Sequence, residues 1–226
     1  MKVCALVTGG VDSVITYHLL LKDRKEDEII PVFVNLKQAY ANKELKACQR
    51  FFGDKLHVLN VDNNVQGQGQ NWFIPNRNLF LASYATMVYA PDEIYMGGLA
   101  EDTTPDLSPA IFEEMSSLVS ITSEKKIQVK SLLWDYTKAQ AIELFLSLNI
   151  PNASKLIEQT VSCYDGTSEG QCNNCKACFY RYVALASNNI EVEPLKQETL
   201  DAYKLKLEQG AFHADILQRA KQLGLY

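Results

Sequence analysis

Residues 2–21 read KVCALVTGGVDSVITYHLLL, and this stretch decides the fold. Lys2 to Thr8 is a near-continuous apolar run, the pattern of a strand buried on both faces. Gly9-Gly10 breaks the run. Asp12-Ser13 then opens VITYHLLL, which is apolar and long enough for a helix. A buried strand that turns through two glycines into a helix is the first half of a βαβ unit.

The alternation continues outward from there. IIPVFVN (29–35), 56–61, 93–96 and 127–129 read as further strands, while 42–52, 79–89 and 111–118 read as helices. Thr137 is placed to N-cap the helix AQAIELFLSL, which Pro151 follows. The polar segment NNVQGQGQNWFIPNRN (63–78) reads as a loop. Strands alternating with helices predict an α/β fold: a Rossmann-like parallel sheet covered by helices on both faces, with ligands bound beyond the carboxyl ends of its strands. The composition changes near Pro151. Residues 1–150 are therefore expected to form the α/β domain, and 151–226 a helical, cysteine-rich region packed on it.

That second region carries Cys163, Cys172, Cys175 and Cys178, spaced C-x8-C-x2-C-x2-C, four of the six cysteines in the chain. Thiolates this close can converge on one tetrahedral Zn²⁺, and four sulfurs leave no open position, so the site is expected to be structural. Two disulfides would suit a small secreted protein. A chain of 226 residues with no signal-type N-terminus and no other paired cysteines does not fit that class. Cys4 and Cys48 read as ordinary buried residues. Between 194 and 226 two amphipathic helices are expected, with Leu195, Leu200, Tyr203 and Leu207 on one face. His18, His57 and His213 share no spacing that suggests a site.

No stretch approaches the length of a membrane-spanning helix, and the formal charge of -5, without a long basic run, argues against broad nucleic-acid wrapping. No membrane association and no direct nucleic-acid binding are expected. Thiolate metal chemistry points to a reducing cytoplasm.

The turn Thr8-Gly9-Gly10-Val11-Asp12-Ser13 lies at the expected ligand-binding edge. Two glycines allow close backbone approach, the helix start offers free N–H groups and a positive dipole end, and Thr8 and Ser13 add hydroxyls. This suits a phosphate or pyrophosphate. It also suits a tight βα turn in which Asp12 or Ser13 merely caps the helix. It is neither a Walker loop nor a G-x-G-x-x-G fingerprint.

TGGVDS resembles the SGG-x-DS pyrophosphate loop of the N-type ATP pyrophosphatases (the PP-loop enzymes, of adenine nucleotide alpha-hydrolase type). With the cysteines, the resemblance narrows to the 7-cyano-7-deazaguanine synthases. Ser162-Cys163-Tyr164, the Cys172–Cys178 run and Arg181 are similar to that family's terminal motif. Ile74-Pro75-Asn76-Arg77-Asn78 is similar to its VP-x-RN. Gly97 to Asp102 with Pro105-Asp106, and Trp134 to Ala139, resemble two further segments. The likeness runs from about residue 2 to residue 185.

The resemblance implies a carbon–nitrogen ligase of queuosine biosynthesis. ATP adenylates the carboxylate of 7-carboxy-7-deazaguanine, ammonia displaces AMP, and a second activation yields the nitrile. It implies that Thr8, Gly9, Gly10, Val11, Asp12, Ser13 and Arg77 bind ATP, and that Asp12, Ser13 and Lys138 serve the chemistry. Asp12 would orient Mg²⁺, and Lys138 would neutralise phosphate. Asn78, Asp102 and Asp106 would meet the deazaguanine. The zinc would clamp the C-terminal loop against the ATP site, and a homodimer is expected.

The chain departs from the family pattern at three places. The Tyr-Gly-Gln-Arg-His after the second strand is replaced by Asn35-Leu36-Lys37-Gln38-Ala39-Tyr40. The segment before Pro105-Asp106 is shortened, with Leu107-Ser108 where Cys-Arg usually follows, and Thr8 stands for the first serine. Thr8 keeps a hydroxyl, but loss of the Gln-Arg-His segment raises an alternative: the same acyl adenylate used to make an amide, or to attach the deazaguanine to a protein amine, as in phage defence. A tRNA thiolase and a non-catalytic zinc-stabilised interaction protein are the other readings. The first would need free catalytic cysteines or a basic extension, and the second would have no need of the loop's Asp12 and Ser13 with Arg77 and Lys138.

Overall fold

The computed structural model describes residues 1–25, 27–62, 74–167 and 170–226. Five strands, β1 (Lys2–Leu6), β2 (Glu28–Asn35), β3 (His57–Asn60), β4 (Glu93–Tyr95) and β5 (Gln128–Lys130), form one parallel sheet in the order β3-β2-β1-β4-β5. Helices α1 (Val11–Asp23), α2 (Ala41–Phe52), α3 (Arg77–Tyr89), α4 (Pro109–Ser123) and α5 (Lys138–Ser147) follow the strands in turn. Then come α6 (Ala153–Glu158), α7 (Lys176–Ala186), α8 (Gln197–Glu208) and α9 (Ala214–Gln222).

The pleat of β1 explains why its sequence is apolar throughout. Cys4 and Leu6 point into one core, shared with Ala82 and Ala85 of α3 and Phe112, Met115 and Val119 of α4. Val3, Ala5 and Val7 point the other way, against Val14, Tyr17 and Leu20 of α1 and Cys48 and Phe52 of α2. Helices therefore cover both faces, and a strand buried on both sides has no polar alternation to show. Cys4 and Cys48 lie in these cores, as expected, and burial pushes the Cys4 thiol up to about 12.

A third core joins α1 to α5, α6 and α7 through Val11, Ile15, Ile142, Phe145, Ile157, Ala184 and Leu185. The C-terminal region is thus packed on the sheet domain by way of α1 and α5. A fourth cluster combines Cys163 and Cys178 with Phe179, Leu195, Leu207 and Ile216, with Leu200 and Tyr203 against it, so the expected apolar face of 194–226 does cover the cysteine region.

Element ends differ slightly from the sequence reading. β1 stops at Leu6, although the Val7 N–H still donates to Val32 O at 2.9 Å. α4 is longer than expected because Ser108 caps it, accepting from the Ile111 N–H, with Pro109 in the first turn. Thr137 caps α5 as expected, in a reciprocal box with Gln140. Of the loop expected at 63–78, residues 63–73 lie outside the described residues. No helix among the described residues is long and apolar enough to cross a membrane.

Candidate active site and metal centre

In the order β3-β2-β1-β4-β5, chain direction across the sheet reverses between β1 and β4, so the loops after these two strands open the crevice where such sheets bind ligands. The first of these loops is Thr8 to Gly10. Gly10 is the N-cap of α1, without any side-chain cap, so neither Asp12 nor Ser13 caps the helix. The Ser13 hydroxyl staples the loop instead, accepting from the Thr8 N–H at 3.3 Å and donating to Gly10 O at 3.1 Å. Gly9 has φ +71°, and a Cβ there would lie 2.5 Å from the Ala47 Cβ, so both backbone conformation and space require glycine.

Asp12 is thereby left free to face the crevice. Both of its oxygens accept from Lys138 Nζ at 2.8 Å, joining the start of α1 to the start of α5. Lys138 is only 13% exposed. Burial opposes its charge, but Asp12, then Glu101 and Asp102, raise its pKa above the ordinary lysine value, so it stays an ammonium. The position in a first helical turn, which by itself suggests a solvated side chain working against the helix dipole, is overridden by this partner.

The β4 loop closes the other side. A Cβ on Gly97 would approach the Asp12 Cβ to 3.1 Å, so the loop backbone lies close against the stem of the Asp12 side chain. Asp102 spends one oxygen on the Leu99 N–H at 2.8 Å, and its carboxyl is raised by burial and by Asp12. Glu101, which sequence reasoning missed, is buried beside Lys138. Burial lifts its carboxyl to about 7, against the pull of the Lys138 ammonium and backbone N–H. Asp12, Asp102 and Lys138 are thus brought together.

The other candidates, Arg77, Asn78 and Asp106, fall into two sets. Asn78 and Asp106 meet: the Asn78 N–H donates to Asp106 Oδ2 at 3.4 Å, and its amide to Asp106 O at 3.5 Å. Asp106 Oδ1 is buried with no hydrogen-bond partner, an acceptor aimed at no donor of the described chain. Arg77 lies instead with Tyr40 and Glu44, bonding the first and sitting in electrostatic reach of the second. Burial lifts Glu44 to about 8, opposed by Arg77 and by the Gln38 amide, which donates to it at 2.9 Å. Tyr164 feels Arg77, Lys138, Glu44 and Asp12 together, so it stands between the two groups.

The four cysteine sulfurs all lie within 4.8 Å of one another, and Cys172 and Cys178 are 3.8 Å apart. Tetrahedral zinc with ~2.3 Å bonds needs sulfurs about 3.8 Å apart, so the set fits such an ion. Cys175 is the N-cap of α7 and Cys178 stands in its first turn, where the helix dipole favours thiolates. N–H groups of Asp165 and Cys172 donate to Cys163 Sγ at 3.4 and 3.3 Å. Hydrogen bonds from the Cys175 and Cys178 thiols lower the Cys163 thiol below its ordinary range.

Two basic residues connect this centre to the crevice. Buried Arg181, on α7, donates to Glu158 O at 2.6 Å and Thr160 Oγ1 at 3.3 Å, and the next residue, Val161, donates its N–H to Gly9 O at 3.0 Å. Buried Lys43, on α2, donates to Cys163 Sγ at 3.6 Å, to Gly170 O at 2.9 Å and to Asp165 O. Arg181 was legible from the motif. Lys43 was not, because it approaches from 120 residues away.

A family model described as queuosine biosynthesis protein QueC matches residues 54–189, which take in Arg77, Lys138 and all four cysteines. The chain belongs to the QueC family. The 7-cyano-7-deazaguanine synthase of Nitratiruptor sp. is 28% identical over 207 residues, covering 78% of this chain and 91% of that one. The enzyme of the same name from Rickettsia akari is 31% identical over 192 residues, covering 76% and 80%. Among solved structures, a predicted subunit of tRNA methyltransferase from Methanocaldococcus jannaschii is similar at 17% identity and TM-score 0.46, over 64% of this chain and 74% of that one. At the level of the family, the chain is an enzyme of the 7-cyano-7-deazaguanine synthase type, and its four clustered cysteines are placed so that they could hold a metal ion.

Proposed function

We propose that this QueC-family enzyme uses ATP to adenylate the carboxylate of 7-carboxy-7-deazaguanine and, with ammonia, carries it to the nitrile. The observation that carries the reading is the Asp12–Lys138 pair at the start of α1, under the Gly9-Gly10 turn and at the switch point of the sheet. There the unpaired N–H groups of the first helical turn, the Thr8 and Ser13 hydroxyls and a buried ammonium supply donors for the charge that grows on the phosphates.

The substrate carboxylate oxygen attacks the α-phosphorus, and the bond to pyrophosphate breaks. Ammonia then forms the C–N bond as the bond to AMP breaks, giving the amide. Adenylation of the amide oxygen, followed by loss of AMP and protons, leaves the nitrile. Mg²⁺, held mainly by phosphate and water with Asp12 as the nearest carboxylate, would neutralise phosphate charge. The unpartnered Asp106 Oδ1 suits the N–H and amino donors of a guanine-like edge, beside Asn78. Zn²⁺ in the four-cysteine site would be structural, since four thiolates leave no position for substrate.

Mass spectrometry of the metal-loaded protein with Mg²⁺-ATP, 7-carboxy-7-deazaguanine and an ammonium salt tests this. Nitrile that forms with wild type and not with Asp12→Ala is the expected result. Amide that accumulates without nitrile would replace it with the shortened or conjugating reaction. Absence of pyrophosphate and AMP would overturn it.

A further inference from the structure

The metal loop does not rest on the sheet domain at random. It rests on residues 38–44, which begin inside the departure at Asn35–Tyr40 and run into the first turn of α2. Three contacts of different kinds make the seat. Lys43 reaches Cys163 Sγ and the carbonyls of Asp165 and Gly170. Gly166 lies so close to Ala39 that a Cβ would stand 2.6 Å from the Ala39 carbonyl oxygen. The rings of Tyr40 and Tyr164 pack with centroids 5.2 Å apart.

The same segment carries groups that face the crevice. Glu44, adjacent to Lys43, takes a hydrogen bond from Gln38, and Tyr40 bonds Arg77. Gln38 Oε1 is buried there without a partner. Four thiolates around a divalent ion carry a net charge of about -2. A buried ammonium on one of those sulfurs offsets part of it, and a donor bonded to a ligand sulfur fixes that ligand's orientation.

We propose that Lys43 is a positioning residue that couples the metal centre to the nucleotide site. By binding Cys163 and the metal-loop carbonyls, it holds residues 38–44 in the register that presents Tyr40 and Glu44 to Arg77. Metal occupancy then sets the affinity for nucleotide through α2, in addition to the route through Arg181 and Val161. The inference rests on the metal and ATP sites named under the proposed function.

Full-length protein loaded with Zn²⁺ is the sample. Zinc release to an excess of chelator is followed with a metallochromic dye, and Mg²⁺-ATP binding is followed by calorimetry with zinc kept saturating. Lys43→Met is expected to release zinc about 10–100 times faster than wild type. It should also weaken Mg²⁺-ATP binding about tenfold at full zinc occupancy, as expected when a residue that orients a metal ligand is lost. Lys43→Arg, which keeps the charge and the donors, should lie closer to wild type in both. Gly166→Ala should reproduce the nucleotide defect with Lys43 intact, because the added methyl meets the Ala39 carbonyl. Zinc release at the wild-type rate, or nucleotide affinity unchanged in zinc-saturated Lys43→Met, overturns the proposal. Wild type that holds no zinc or binds no Mg²⁺-ATP overturns the reading beneath it, and is seen without any variant.

Discussion

The phosphate-type loop at residues 8–13 and the metal loop at 163–178 are both irregular segments that meet at the crevice, yet they are held in different ways. The first is built from its own neighbours: Ser13 bonds Thr8 and Gly10, and Gly9 takes the one backbone conformation that fits against α2. Among its described residues the second has no helix or strand before α7, and it is held from outside, by Lys43 on α2 and by the cluster of Phe179, Leu195, Leu207 and Ile216. Among the described residues, the first loop leans on a single distant hydrogen bond, from the Val161 N–H to Gly9 O, whereas the second leans on several from Lys43.

The largest way to break that contrast is at the metal. Cys163→Ser removes the ligand that carries both N–H donors and the Lys43 contact, and coupled binding energy on the order of 10 kcal/mol is at stake. Hydrogen exchange should show residues 160–178 opened and β1 to β5 still protected. Simultaneous loss of protection in the sheet would show that the two regions are not held independently.

Next comes the charge pair that the first loop presents. Asp12→Ala leaves the Lys138 ammonium buried and unpaired, and pyrophosphate release should fall about 10³-fold. Lys138→Met in that background should cost far less than it does alone, because the two act as one unit.

A smaller effect depends on pH. Burial lifts Glu44 from 4.5 to about 8 and Glu101 to about 7, so the folded state keeps protons that the unfolded chain has already released. Their contribution is complete below pH ~4.5 and is lost as pH rises towards 8. Glu44→Gln should flatten the fall in urea-unfolding stability between pH ~5 and ~8 by on the order of 2 kcal/mol. An unchanged slope would mean that Glu44 is ionised throughout.

The smallest change sharpens the comparison on the side of local construction. Thr137→Ala removes the α5 capping box and a 2.6 Å bond to Asp215, and should cost about 1–2 kcal/mol in thermal unfolding. Metal content should not change, since neither bond touches the cysteine loop.

What the sequence showed follows the same division. β1, the glycine turn and α1 were legible because burial, breaking and helix formation are written in consecutive residues. The cysteines were legible because a metal with four thiolate ligands demands close spacing. Thr137 declared itself by the residues after it. The partners of these features were not legible. Lys138 meets Asp12 across 126 positions, and Lys43 meets Cys163 across 120. Nothing in a Lys-Glu-Leu stretch of an amphipathic helix says that its lysine is buried on a sulfur. Glu101 beside Asp102 reads as one more loop acid until the start of α5 is seen to bury it. Asn78 and Asp106 were singled out one by one, and only the fold made them a pair.

The bond from the Val161 N–H to Gly9 O has a consequence for how the protein is made. A ribosome has released every strand of the sheet by Lys130, so the frame can assemble while synthesis is still in progress. The glycine turn, translated almost first, must wait for a residue translated some 150 positions later before its carbonyl is satisfied. A nascent chain can therefore own a finished scaffold while its glycine turn still waits for a partner, and that turn is completed in one late step.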